Sequence, residues 1–364
     1  MLALGTQHSV ILRQDGSVWS TAINLRGSVG EGNVFERVIA SGATAVAAGG
    51  GHSIVIKDDG SIWTMGRNNK GQLGDYTKTR KSAFVLAKMI SDAEAVAAGG
   101  HHSMVLTSQG CVFAAGCNEY GQSGDGAGSE CSNKFRKVIA SGVTGVAAGE
   151  FHSIVLKQDG SLWAAGRNQN GQLGDGTRAA DRYIFVMVMS SDVVDVTAGD
   201  SHSMVIKQDG SVWATGWNEY GQLGDGSKID QMNYKQVMLS GAKAVAAGSR
   251  HSMILKKDDS VWATGYNQYG QLGDGSTMDT SFFTQVISDG VRVVAAGAFY
   301  SMVLKKDGSI WATGSNKDGQ FGDGSMTSTK IFVRLASFAN GAGTARTCHK
   351  VLAISRHLTP LCNQ

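Results

Sequence analysis

One sequence sentence is written seven times along these 364 residues. The glycine closing an Ala-Ala-Gly or related element falls at Gly5, Gly49, Gly99, Gly149, Gly199, Gly248 and Gly297, in steps of 44, 50, 50, 50, 49 and 49 residues. Three residues on stands a histidine: His8, His52, His102, His152, His202 and His251, with Tyr300 in the seventh copy. A serine follows each of them. Then come a turn residue (Asp15, Asp59, Gln109, Asp159, Asp209, Asp258, Asp307) and an aromatic (Trp19, Trp63, Phe113, Trp163, Trp213, Trp262, Trp311). Gly-x-Asn and "GQLGDG" complete the sentence. A period near fifty residues confines the chain to a repeat architecture, because each copy is one supersecondary unit that needs its neighbours to bury its faces.

The fourth copy shows what the unit is. "VAAG" (Val146–Gly149) reads as a short apolar strand and "HSIVLKQ" (His152–Gln158) as a second, rich in β-branched residues. "DG" (Asp159–Gly160) predicts a two-residue hairpin turn, since Gly accepts positive φ and Asp bonds its own backbone. "SLWAAGRN" (Ser161–Asn168) returns antiparallel, "GQLGDG" loops, and "YIFVMVM" (Tyr183–Met189) is a fourth strand. Four short strands per copy, seven copies and a glycine count of 50 with one proline predict an all-β, seven-bladed β-propeller of four-stranded antiparallel blades. The repeats divide as 2–46, 47–96, 97–146, 147–196, 197–245, 246–294 and 295–335. A divergent tail occupies 336–364; its "KVLAIS" (Lys350–Ser355) has the chemistry of a strand that would supplement blade 1 and close the ring, and a frayed tail is the alternative.

These motifs resemble the RCC1 (regulator of chromosome condensation) repeat family over roughly residues 2–335. The resemblance implies the same seven-bladed propeller. It implies less about function, because one fold hosts unrelated tasks. The first copy departs from the pattern, with Ala22 for glycine and "RGSVGEG" (Arg26–Gly32) for the glycine-rich loop. The family's namesake activity is guanine-nucleotide exchange on a small GTPase while docked on chromatin, through a protruding β-wedge. Here the steps of 49 or 50 leave no room for such an insertion in blades 2–6, and these 364 residues carry no basic tail of the chromatin-binding kind, so exchange is not the first expectation.

Composition narrows the remaining classes. A net charge of +3, from 33 basic and 30 acidic residues, gives no direct nucleic-acid footprint. No apolar run is long enough for a membrane-spanning helix. Five cysteines without Cys-x-x-Cys spacing fit reduced, structural thiols and imply no zinc site. No signal peptide is visible, so a cytoplasmic or nuclear location is expected, with a missing upstream segment left open. A monomer without cofactor or metal is the simplest expectation. Six equivalent histidines on six blades are too dispersed for one ion, and hydrogen bonds that fasten strand ends suit them better. The aspartates of "GQLGDG" (Asp75, Asp125, Asp175, Asp225, Asp274, Asp323) supply one oxygen donor group per blade where calcium needs six to eight oxygens together, so loop capping is expected. The same loop has no P-loop lysine, and no Gly-x-Ser-x-Gly elbow is present.

Residues that recur in every copy serve the fold; those that change are free for recognition. Strand direction places the pair before His-Ser and the residues around Gly-x-Asn on one rim, opposite the "DG" turns. That rim carries Tyr120, Phe151, Trp217, Tyr220, Arg250, Tyr266, Tyr269 and Phe299, and its aromatics concentrate in blades 5 and 6. Trp, Tyr and Arg dominate interface hot spots. The alternative is that these rings pack only on neighbouring loops. The reading that follows is a non-catalytic scaffold that binds a protein partner through the rim. Exchange on a small GTPase, a propeller-type enzyme inhibitor and a sugar or small-ligand binder are the alternatives. An ultraviolet receptor built on rim tryptophans does not fit, since Trp217 stands alone there.

Overall fold

The computed structural model describes residues 1–21, 33–90, 92–128 and 130–335. It is an all-β ring of seven antiparallel four-stranded sheets, each formed by consecutive strands. Blade 1 spans residues 2–39, and blade 7 ends at Arg334. Blade 4 shows the pattern with strands Val143–Ala148, His152–Lys157, Leu162–Gly166 and Arg182–Met189. The fourth strand is the outer one, a mixture of exposed and half-buried residues, while the second is buried almost throughout. The tail 336–364, including Lys350–Ser355 with its expected ring-closing role, lies outside the described residues, as does Arg26–Gly32.

The expected two-residue Asp-Gly turn is a three-residue loop. Lys157 N donates to Ser161 O at 2.9 Å, and Gly160 N donates to Lys157 O at 3.0 Å. Gln158, Asp159 and Gly160 thus form the connection, with Gly160 left-handed at φ 79°. A type I turn followed by a left-handed glycine matches strand twist as well as the shorter turn does. Asp159 Oδ1 accepts from Ser161 N and Ser161 Oγ, and Trp163 Nε1 donates to Ser161 Oγ at 2.9 Å. Lys157 covers the Trp163 ring, its Nζ 3.8 Å from the centroid.

The core lies between blades. Ile154, Leu162 and Leu173 of blade 4 pack with Val196, Val205 and Tyr234 of blade 5 in one buried cluster. Each sheet therefore buries its faces on its neighbours, as the repeat logic requires. The tryptophans belong to these seams: Trp163 packs on the cluster shared by blades 3 and 4. The "GQLGDG" loop reaches across the next seam. Asp175 forms a β-bridge with Asn233, and a Cβ on Gly174 would lie 2.5 Å from the Tyr234 ring.

A belt of hydrogen bonds joins the blades around the channel. His102 Nε2 bonds Ser153 Oγ of the next blade at 2.8 Å, and Ser153 Oγ donates back to Gln122 O at 2.7 Å. The serine's one proton is spent on the carbonyl, so the hydroxyl accepts from the histidine. That fixes the Nε2–H tautomer. The same His–Ser contact recurs at His8–Ser53, His52–Ser103, His152–Ser203, His202–Ser252 and His251–Ser301. The histidines thus fasten blade to blade and not strand to strand. At the last seam Tyr300 replaces histidine. Its hydroxyl donates to His8 O at 2.6 Å and lies 3.0 Å from Ser9 Oγ, which donates to Gln320 O at 2.7 Å. Val34 pairs with Asp323, and Leu2, Ile11 and Phe35 share a buried cluster with Tyr300 and Phe321. Blade 7 therefore meets blade 1 as every other blade meets its neighbour.

Candidate functional site

Repeated residues hold the variable ones in place. In blade 5, His202 and Gly216 end the pairing of the second and third strands. The residues just beyond them then meet, as Trp217 N donates to Ser201 O at 2.8 Å. The neighbouring loops repeat the bond: Arg167 N to Phe151 O, and Tyr266 N to Arg250 O, both at 2.9 Å. The glutamine of "GQLGDG" also steadies the rim. Gln222 Oε1 accepts from Tyr220 N at 3.0 Å while its own backbone oxygen accepts from Ser252. The same glutamine carboxamide holds Tyr120 and Tyr269 in their blades.

The eight rim residues singled out from the sequence fall into two groups. Trp217, Tyr220, Tyr266, Tyr269 and Phe299 form one chain of rings over blades 5–7, with centroids 5.4 Å (Trp217–Tyr220), 4.8 Å (Tyr220–Tyr266), 6.1 Å (Tyr266–Tyr269) and 5.3 Å (Tyr269–Phe299) apart. Arg250 sits among them. Its guanidinium lies 5.3 Å from the Trp217 and Tyr220 rings, 5.8 Å from Tyr266 and 5.9 Å from Phe299, and Nη1 donates to Tyr220 Oη at 3.2 Å. Tyr120 and Phe151 form a separate pair on blades 3 and 4, with centroids 5.2 Å apart. Arg167 stacks on both, at 5.0 and 5.6 Å. Tyr266 is buried and forms the floor of the larger group; the other seven are half-buried, with one side packed and one free.

Carboxylates lie between the groups. Glu150 is raised to about 7, first by burial and then by Asp200, against the opposing pull of Arg167 and Arg250. Burial likewise raises Asp200, which Ser249 and Arg250 partly offset. Sequence reasoning passed over both, along with His101, which lies 5.5 Å from the Phe151 ring, and Lys317 over Tyr269. Glu150 and Asp200 were visible as the only acidic residues directly after the Ala-Ala-Gly-type element. The structure also joins Cys117 and Cys131, 14 positions apart, with Glu119.

A family model described as "RCC1-like domain" matches residues 1–286, and one for the "Regulator of chromosome condensation (RCC1) repeat" matches 291–320. The chain belongs to the RCC1-like domain family. A search of curated proteins gives no match. Among solved structures, human WBSCR16 is 21% identical with a TM-score of 0.74, covering 84% of this chain and 86% of that one. Prp20p from Saccharomyces cerevisiae, described with its binding properties to Gsp1p and histones, is 20% identical with a TM-score of 0.72, covering 81% and 77%. Yeast RCC1 (Prp20) bound to Kap60 is 18% identical with a TM-score of 0.75, covering 89% and 84%. At such identities the likeness is one of fold.

Proposed function

We propose that this RCC1-like propeller is a non-catalytic scaffold that binds a protein partner on the rim of blades 5–7. The observation that carries the reading is Arg250 set among Trp217, Tyr220, Tyr266 and Phe299, on a surface whose residues change from blade to blade. Preordered aromatic and guanidinium groups lose little entropy on binding, and such groups supply most hot spots. Tyr120, Phe151 and Arg167 extend the same rim. The test is affinity capture from source-cell lysate with the wild-type chain beside Trp217→Ala/Tyr220→Ala/Arg250→Ala. The reading expects a partner held by wild type and lost by the folded triple variant. Equal capture by both baits would remove the rim from consideration.

A second reading is exchange on a small GTPase, favoured by the likeness to Prp20p, a protein described with Gsp1p binding. Capture of a small GTPase, followed by accelerated release of its labelled guanine nucleotide, would put exchange first. Capture without acceleration leaves the scaffold reading standing.

A further inference from the structure

Blade 3 departs from the repeat twice, and the two departures meet. The residue inside Gly-x-Asn is Arg67, Arg167, Trp217, Tyr266 and Ser315 in blades 2 and 4–7, but Cys117 in blade 3. The residue just ahead of the fourth strand is Asp181, Asp230, Asp279 and Ser328 in blades 4–7. There its side-chain oxygen accepts from the backbone N of the Gly-x-Asn asparagine. In blade 3 that place belongs to Cys131. The two sulfur atoms and a Glu119 carboxylate oxygen all lie within 4.8 Å of one another. Neither cysteine is in a disulfide. Cys117 is buried, Cys131 half-buried and Glu119 exposed, so the cluster opens to the rim beside Tyr120. Lys70 of blade 2 forms an ion pair with Glu119.

We propose that Cys117, Cys131 and Glu119 bind one thiophilic divalent cation of the zinc class. Two thiolates and a carboxylate are three protein ligands, and a tetrahedral ion keeps its fourth position for water or a group from a partner. Bond lengths of about 2.3 Å to sulfur and about 2.0–2.2 Å to oxygen place tetrahedral ligand atoms roughly 3.5–3.8 Å apart, so the cluster need close by no more than about 1.3 Å. Binding releases two thiol protons, leaving two thiolates, one carboxylate and one divalent ion with net charge −1. The Lys70 ammonium beside Glu119 balances that charge. A disulfide would explain the paired cysteines but gives Glu119 no part; the converging carboxylate favours the ion.

The experiment titrates the full-length chain, reduced and stripped by chelator, with Co2+. The expected result is a sulfur-to-cobalt charge-transfer band in the near ultraviolet that saturates at one equivalent and is displaced by Zn2+. The band is lost in Cys117→Ala/Cys131→Ala, which removes both thiolates. It survives in Cys111→Ser and in Cys348→Ser/Cys362→Ser. Absence of the band from the wild-type chain overturns the proposal, as does its persistence in folded Cys117→Ala/Cys131→Ala. Loss of the band in either control variant would also overturn it. So would rapid formation of a Cys117–Cys131 disulfide in air by a chain that binds no cobalt.

Discussion

At the scale of single residues, the belt histidines make an uncommon electrostatic arrangement. Burial lowers His8 and His202 to about 4 and His52, His102, His152 and His251 to about 3, and each Nδ1 is buried without a partner. A second proton would sit on that nitrogen with nothing to accept it. In the unfolded chain the same histidines titrate near about 6.5. Below that pH the unfolded state binds more protons, so stability is full above about pH 6.5 and falls as acid is added, before most carboxylates titrate. Urea midpoints measured from pH 7.5 to 5 should fall steadily. In His152→Ala that slope should be shallower, with a loss of about 3 kcal/mol at pH 7.5 from the cavity and the unpaired Ser203. Asp195 is the opposite case. It stands where other blades have Ala45, Ala95 or Ala244, and burial raises it to about 7 although Val196 N donates to it. A raised carboxyl costs stability as pH rises from about 4 through 7, on the order of 4 kcal/mol when fully ionised. Asp195→Ala should therefore raise the melting temperature, and more at pH 8 than at pH 5.

At the scale of the strand and loop, the glycines divide by the reason they are needed. The Ala-Ala-Gly glycines press against the neighbouring blade: a Cβ on Gly149 would lie 2.2 Å from the His152 ring and 2.5 Å from Gly199 O. Gly142 is left-handed at φ 82° but has open space around it. Gly149→Ala should cost about 3 kcal/mol or more through steric overlap, and Gly142→Ala only about 1 kcal/mol, read from denaturant midpoints. Much of this level was legible in the sequence, because seven copies reveal which words are obligatory. The His-Ser pair, the Trp and the loop Asp were all visible as framework. What could not be read was the partner across the seam. Sequence separation does not say that His102 would find Ser153, 51 residues away, and so the histidines were assigned to their own strand ends. The turn was misjudged by one residue because Asp-Gly suits two hairpin types, and only the Lys157–Ser161 pairing decides between them.

At the scale of the whole molecule, the ring closes with contacts of the ordinary kind at its one irregular seam. Tyr300 spans that seam by reaching His8 O, a bond that a histidine in its place would not reproduce. Tyr300→Phe should cost about 1–2 kcal/mol with an unchanged denaturant slope, since the blades on either side of the seam share one core. The rim's aromatic residues were legible one by one, but their division into a blade 5–7 group and a blade 3–4 pair was not. That grouping depends on which loops lie side by side around the ring. The pairing of Cys117 with Cys131 was hidden for the same reason: the loop between them folds back on itself.

Repeated residues hold the ring, and unrepeated rim residues are free to bind. The most direct measurement compares thermal unfolding of Trp217→Ala/Arg250→Ala with that of His152→Ala at pH 7.5. The rim pair should lose less than half the stability lost by the single belt variant. A rim pair as destabilised as His152→Ala would show that the aromatic cluster is packing that holds the blades together, and would contradict the claim.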